Sequence, residues 1–423
     1  MMGTANSAGA TLIVGNCQAG VQLASTLREL GDTAPIILVG EEPHLPYQRP
    51  ALSKAFLKGE ATAASLTFRT PEWFVREDIE LVTGEQIADI SRDADGGTAV
   101  GTSGRVFPFA RLALTTGAVP RKLALPGADL AGVCYLRDAD QAASLHRSLG
   151  SARSVAVIGG GFIGLEVATA ARAAGKQVTI IEAAPRLVGR AVGETISDFY
   201  LQAHRRRGTT VLLNAGIVRI AGKNGRVTGV ELAGGTTVPA DVVVIGVGVL
   251  PRTELAERLG LEVSNGVVVD SRAVASDGVT VAAGDCANMP NPFTADYGNG
   301  NLRLESVQNA VEQAKTAARS LLGLEADYRT VPWFWSDQGD LMLQIAGLSA
   351  GHDSTVLRGD PESEKFAVLY YREGRIIAAD CVNTPRDFMA VRNALTRGLD
   401  IPPEAAADLG RTLKESAVPR VPA

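Results

Sequence analysis

Two glycine-rich turns, 144 residues apart, constrain this 423-residue chain more than any other feature. The first is Thr11-Leu-Ile-Val-Gly15-Asn-Cys-Gln-Ala-Gly20, and the second is Val155-Ala-Val-Ile-Gly159-Gly-Gly161-Phe-Ile-Gly164. Each follows a short apolar run and opens a helix-like stretch that closes on a glycine, Gly31 or Gly175, 16 residues after the first glycine of its turn. The pattern predicts a strand, a tight turn and a helix, with backbone N–H groups and the helix dipole at the amino end making a diphosphate site. Two units of matching internal spacing predict two dinucleotides held by one chain, as passage of a hydride from one to the other requires.

Each unit leads to a second apolar strand and then an acid. Pro35–Gly40 precedes Glu41, which lies 21 residues past Gly20, and a register shift of one residue would substitute Glu42. Gln177–Ile181 precedes Glu182, 18 residues past Gly164. A carboxylate here accepts hydrogen bonds from ribose hydroxyls and repels a 2′-phosphate, so the second site is expected to prefer NADH to NADPH. Leu112–Gly117 and Val242–Gly248 read as the strands by which the chain leaves and re-enters the first domain. Gly278–Asp285 reads as a strand whose closing aspartate suits a ribitol chain or a flavin phosphate. Glu305–Leu322 has its apolar residues, Val307 among them, at helical spacing. Beyond Thr330 the texture changes to Val331-Pro-Trp-Phe-Trp335-Ser-Asp-Gln338 and to alternating strands at 365–371 and 375–379, which predicts a separate small α+β domain. Residues 415–423 are expected to be a loose tail.

Composition excludes several classes. A net charge of −5 without a basic stripe argues against nucleic-acid binding. The longest apolar runs, such as Val242–Leu250, are too short to cross a bilayer. Met1–Ser7 lacks the basic and apolar regions of a signal peptide, so a cytoplasmic location is expected. Cys17, Cys134, Cys286 and Cys381, like the four histidines, are scattered, which predicts neither a disulfide framework nor a metal site.

Four further segments carry a resemblance: Glu42-Pro-His-Leu-Pro-Tyr47-Gln-Arg49-Pro50-Ala-Leu52-Ser53-Lys54, Gly159 to Glu166, Gly284-Asp285, and Val331 to Gln338. Together they are similar to the FAD-dependent ferredoxin reductases, over roughly residues 10–400. The resemblance implies an α/β fold: two Rossmann-like dinucleotide-binding domains arranged as in glutathione reductase, and a C-terminal α+β domain. FAD would bind residues 1–117 together with 248–328, NADH the inserted 118–247, and the last domain would be 329–423.

By the same resemblance, Gly15, Cys17, Ala19, Gly20 and Glu41 would serve the diphosphate and ribose end of FAD. Arg49, Thr116, Gly117, Gly284, Asp285 and Val307 would line the rest of its site. NADH would meet Gly159, Gly161, Gly164, Glu182 and Gly248. Lys54 would stand beside the flavin, paired with Glu166, as the groups that tune it. Trp335, with Trp333 as substitute, would lie near the flavin face opposite the nicotinamide. Two residues depart from the family pattern. Cys17 stands where glycine is usual and would crowd the pyrophosphate, and Arg252 stands where asparagine is common, with no role implied.

The implied activity is hydride transfer from NADH to FAD, followed by single-electron delivery to a [2Fe-2S] ferredoxin serving a Rieske oxygenase or a cytochrome P450. The protein would be a monomer or weak dimer, and Arg303, Arg329, Arg386 and Arg392 would supply a basic docking patch. The alternatives are a rubredoxin or another carrier as acceptor, or an NADH-sensing flavoprotein resembling apoptosis-inducing factor. A disulfide reductase would need a redox cysteine pair near the flavin, which is missing, and an NADH oxidase or peroxidase would need one cysteine shortly after the first Rossmann unit, where residues 40–60 contain none.

Overall fold

The computed structural model describes residues 9–93, 95–293 and 300–420. They form two compact units, built from discontinuous stretches of chain.

The described residues of the first unit fall within Met1–Gln48, Ala63–Val119 and Leu250–Pro332. Its centre is a parallel sheet in the order Val281–Ala282, Arg111–Leu114, Thr11–Val14, Ile36–Val39, Ile79–Val82. The runs Leu-Ile-Val and Ile-Ile-Leu-Val are buried throughout, as strands covered on both faces must be. Helix Gln18–Glu29 packs against helix Val307–Leu321, and small residues (Ala24, Ala314, Ala318) let the two approach within one core. From Thr11–Val14 the chain runs to a neighbouring strand on one side and later to Arg111–Leu114 on the other. Strand order therefore reverses at the carboxyl end of that first strand, where open α/β sheets form a ligand crevice.

The second unit repeats the plan. Its parallel sheet runs Thr210–Leu212, Gln177–Ile181, Ser154–Ile158, Val242–Ile245, Val133–Cys134, with the reversal at the end of Ser154–Ile158. The same unit contains an antiparallel sheet in the order Trp333–Gln338, Leu341–Gly347, Arg375–Val382, Lys365–Arg372, Ser354–Asp360, flanked by helix Pro385–Thr396. Ile196, Phe199 and Tyr200 of helix Glu194–Arg206 share one buried cluster with Phe366, Val368 and Tyr370 of that sheet. The change of sequence texture at Thr330 thus marks a change of architecture, while the apolar core runs on across it. The stretch Arg49–Thr62, which holds a single π turn at Leu52–Phe56, also belongs to this unit and buries Leu57 in the same cluster.

The tail is ordered further than expected. Leu413 and Ser416 are buried, and Val418–Pro419 pairs antiparallel with Leu399–Asp400, so backbone pairing and one apolar anchor hold it through Pro419. Residues 421–423 lie outside the described residues. Among the described residues no helix is long and apolar enough to cross a membrane.

Candidate functional site

At the first turn, packing alone demands two of the glycines. Gly15 has φ +111°, and a Cβ on it would overlap the Thr115 carbonyl oxygen. A Cβ on Gly20 would overlap the carbonyl of Gly15. The Thr115 hydroxyl closes the turn from below, donating to the Gly15 carbonyl at 2.8 Å. Ala19 faces Gly284, whose N–H donates to Gln313 Oε1 at 2.8 Å, with Ala310 beside it. Gly15, Ala19, Gly20 and Gly284-Asp285 are thereby drawn around the amino end of Gln18–Glu29. Val307 opens the neighbouring helix, which Ser306 caps through the Asn309 N–H at 3.1 Å. The Thr116 hydroxyl donates to the Arg252 carbonyl at 2.9 Å, and Gly117 turns the chain with φ +70°. Glu42 accepts a hydrogen bond from Tyr47, whereas Glu41 is met by the Arg252 guanidinium.

The second turn has the same construction. A Cβ on Gly159 (φ +106°) would overlap the Gly246 carbonyl, and one on Gly164 the carbonyl of Gly159. Gly161 differs, because a Cβ there would meet nothing within 4 Å. No packing requires a glycine at that place, and the open space leaves room for close approach of a ligand. Glu182 lies directly on this turn: Oε2 accepts from the Gly160 N–H at 2.5 Å and Oε1 from the Ala184 N–H at 2.7 Å. Gly248 has φ +101° and accepts from the Arg121 N–H at 2.9 Å.

The two turns share a property that suits diphosphates. Neither Gln18–Glu29 nor Phe162–Ala173 has a side-chain cap or an acid in its first turn, whereas Asp138 and Ser306 cap the helices at Ala139–Ser151 and Val307–Leu321. The first N–H groups of both turn helices are left to an anion, with the dipole behind them. Asn16, buried in the first turn, also carries an amide nitrogen with no hydrogen-bond partner among the described residues. These residues fit dinucleotide cofactors.

Lys54 and Glu166 meet within the second unit, Nζ to Oε2 at 2.8 Å. Glu166 is 3% exposed, and both its oxygens are engaged: Ser336 Oγ donates to Oε1 at 2.6 Å, and Ser53 Oγ to Oε2 at 2.5 Å. A buried carboxylate with three donors is well compensated, and it fixes the lysine that faces it. Lys54 also donates to the Pro50 carbonyl at 3.1 Å and remains 20% exposed at its side chain. Behind Ser336 stands Gln338, whose Oε1 lies 2.8 Å from His204 Nε2. Burial depresses the His204 pKa below the usual histidine range. Arg49 donates to the Arg137 carbonyl at 2.8 Å, so it braces the loop that bears Lys54. Trp335 and Trp333 lie side by side, ring centres 5.6 Å apart, and Arg392 stands over Trp333.

Residue-type reasoning missed Thr115, Asn16, Ser53 and Ser336. The two serines sit inside distinctive strings, but a serine signals nothing until a buried carboxylate is found beside it. The four arginines expected to form a basic patch are divided between the two units. Arg303 is 8% exposed at its side chain and paired with Glu305, while Arg329 is paired with Asp327. Arg386 and Arg392 lie instead on helix Pro385–Thr396. Cys286 is fully buried, with Sγ near the Leu114 and Ala283 carbonyls, and burial pushes its thiol pKa up. None of the four cysteines is in a disulfide, and no cluster of potential metal ligands occurs among the described residues.

Comparison with known proteins extends these observations. Residues 9–314 match the pyridine nucleotide-disulphide oxidoreductase family, and residues 333–417 match the reductase C-terminal family. Rhodocoxin reductase of Rhodococcus erythropolis is 43% identical over 403 residues, covering 95% of this chain and 93% of that one. The crystal structure of the ferredoxin reductase for the CYP199A2 system from Rhodopseudomonas palustris superposes with a TM-score of 0.92 at 40% identity, over 97% of this chain and 100% of that one. The covalent putidaredoxin reductase–putidaredoxin complex gives the same TM-score at 36% identity, over 97% and 98% of the two chains.

Proposed function

Because this chain belongs to the pyridine nucleotide-disulphide oxidoreductase family, we propose that it is an FAD-containing NADH:ferredoxin oxidoreductase whose [2Fe-2S] partner serves a Rieske oxygenase or a cytochrome P450. The observation that carries this reading is the pair of uncapped helix amino ends, one at each switch point, in a chain without a cysteine pair to receive the electrons. When bound, FAD supplies the exchange between a two-electron hydride donor and a one-electron acceptor. The residues bind and orient. In this reading the first turn takes the FAD diphosphate and the second that of NADH, with Glu182 accepting from its ribose and disfavouring a 2′-phosphate.

Lys54, tethered by Glu166 and through it by Ser53 and Ser336, supplies a positive charge to the reduced flavin ring. Arg329, exposed on the first unit, and Arg386 and Arg392 on helix Pro385–Thr396 would draw an acidic carrier. The place of action is the cytoplasm, where NADH is at hand. The test is direct. The purified protein should carry one FAD per chain, be reduced rapidly by NADH, and then reduce a [2Fe-2S] ferredoxin in steady state. Reduction by NADH without turnover on any iron–sulfur carrier would favour the NADH-sensing alternative.

A further inference from the structure

The two turns part company at their acids. Val39 pairs with Val14 and Ile181 with Ile158, so the position after the second strand is Glu182 in one unit and Gly40 in the other. A side chain at Gly40 would overlap the buried Asn16 side chain, which would have to move. The acid of the first unit is therefore Glu41, one residue later and 38% exposed at its side chain. A glutamate so placed would ordinarily sample many rotamers, and ordering it for a ligand costs conformational entropy.

Here it is held. Arg252 forks onto it, with one terminal nitrogen 2.7 Å from Oε2 and the other 2.7 Å from Oε1. Arg252 is itself fixed by its backbone: its N–H donates to the Gly117 carbonyl at 3.0 Å, and its carbonyl accepts from the Thr116 hydroxyl at 2.9 Å. A carboxylate offers roughly four acceptor positions, and the fork uses two. Two remain for the paired hydroxyls of a ribose.

We propose that Arg252 is a positioning residue for FAD, holding Glu41 in the one orientation that accepts the adenosine ribose. The inference rests on assigning the first turn to FAD. A planar five-donor guanidinium is needed for the fork, so the departure from asparagine at this position has a function that lysine does not replace.

The test is FAD binding to the full-length apoprotein, followed by flavin fluorescence, for wild type, Arg252→Met, Arg252→Lys, Glu41→Gln and the double variant Arg252→Met/Glu41→Gln. Circular dichroism of each apoprotein checks the fold. Arg252→Met should raise the FAD Kd about tenfold, and Arg252→Lys should recover only part of that loss. The double variant should bind no more weakly than Glu41→Gln alone, because the arginine acts through the glutamate. Wild-type affinity in Arg252→Met would overturn the proposal, and so would strictly additive losses in the double variant. A wild-type apoprotein that binds no FAD would instead overturn the assignment of the first turn.

Discussion

Replacing Asp380 with asparagine should flatten the pH dependence of stability. Asp380 is fully buried on strand Arg375–Val382. Its Oδ2 accepts from the Tyr370 hydroxyl at 2.6 Å, and its Oδ1 has no partner among the described residues. Burial pushes the carboxyl pKa up from 3.8 to about 7, and the Tyr370 hydrogen bond offsets only part of that rise. The fold therefore favours the neutral acid. Below about pH 4 the carboxyl is protonated in folded and unfolded chains alike, and the stability it allows is fully present. As pH rises toward about 7 the unfolded carboxyl ionises while the folded one does not, so stability falls; above that the deficit is constant. A shift of this size, from 3.8 to about 7, is worth about 4 kcal/mol.

Asp380→Asn keeps an acceptor for Tyr370 and cannot ionise. Its amide N–H group takes the unpartnered place at a cost of about 1–3 kcal/mol, independent of pH. Urea unfolding with excess FAD at pH 4.5 and pH 8 separates the two effects. The free-energy difference between variant and wild type should move by about 3 kcal/mol toward the variant over that range. A difference that does not change with pH would refute the buried titration.

Three further outcomes test the cofactor sites. Glu182→Gln should narrow the preference for NADH over NADPH in flavin reduction by about tenfold or more, and a wild type equally efficient with both nucleotides would show that this carboxylate does not meet the 2′ position. Lys54→Met should slow hydride transfer roughly tenfold or more and lower the flavin potential; stopped-flow traces and a potential equal to wild type would leave Lys54 without that role. Cys17→Gly should lower the FAD Kd, because the Cys17 backbone (φ −95°, ψ −153°) is close to that of Gly161 (φ −81°, ψ 175°), so the substitution removes the Cβ and Sγ without moving the chain. An unchanged or larger Kd would dismiss crowding at the pyrophosphate.

The fold was legible because its signals are local. The strand that opens each turn is an apolar run ending in glycine, and each turn helix closes on a left-handed glycine, Gly31 or Gly175. The Lys54–Glu166 contact was legible only through the distinctive string that contains Lys54, since 112 residues separate the two. The remaining partners of the candidate site were not legible. Ser53 and Ser336 reach Glu166 from stretches 283 residues apart, and Arg252 reaches Glu41 across 211, distances over which no periodicity carries information. The tail was misread because terminal position alone says nothing of the burial of Ser416 or the pairing of Val418–Pro419 with Leu399–Asp400.

The strand Trp333–Gln338 shows why its string is specific. Alternation divides it into two faces. Phe334, Ser336 and Gln338 point one way, to Phe162 at a ring distance of 4.7 Å, to Glu166 and to His204. Trp333 and Trp335 point the other way, where Arg392 and Phe388 lie against Trp333. One face thus anchors the carboxylate that holds Lys54, while the other presents the aromatic pair, and pairing with Leu341–Gly347 locks both to one register. A one-residue slip would exchange the faces, setting an indole against Glu166 and withdrawing its serine. The strand therefore tolerates neither insertion nor deletion, so a run of six side chains is recognisable when the serine or the tryptophan alone would not be.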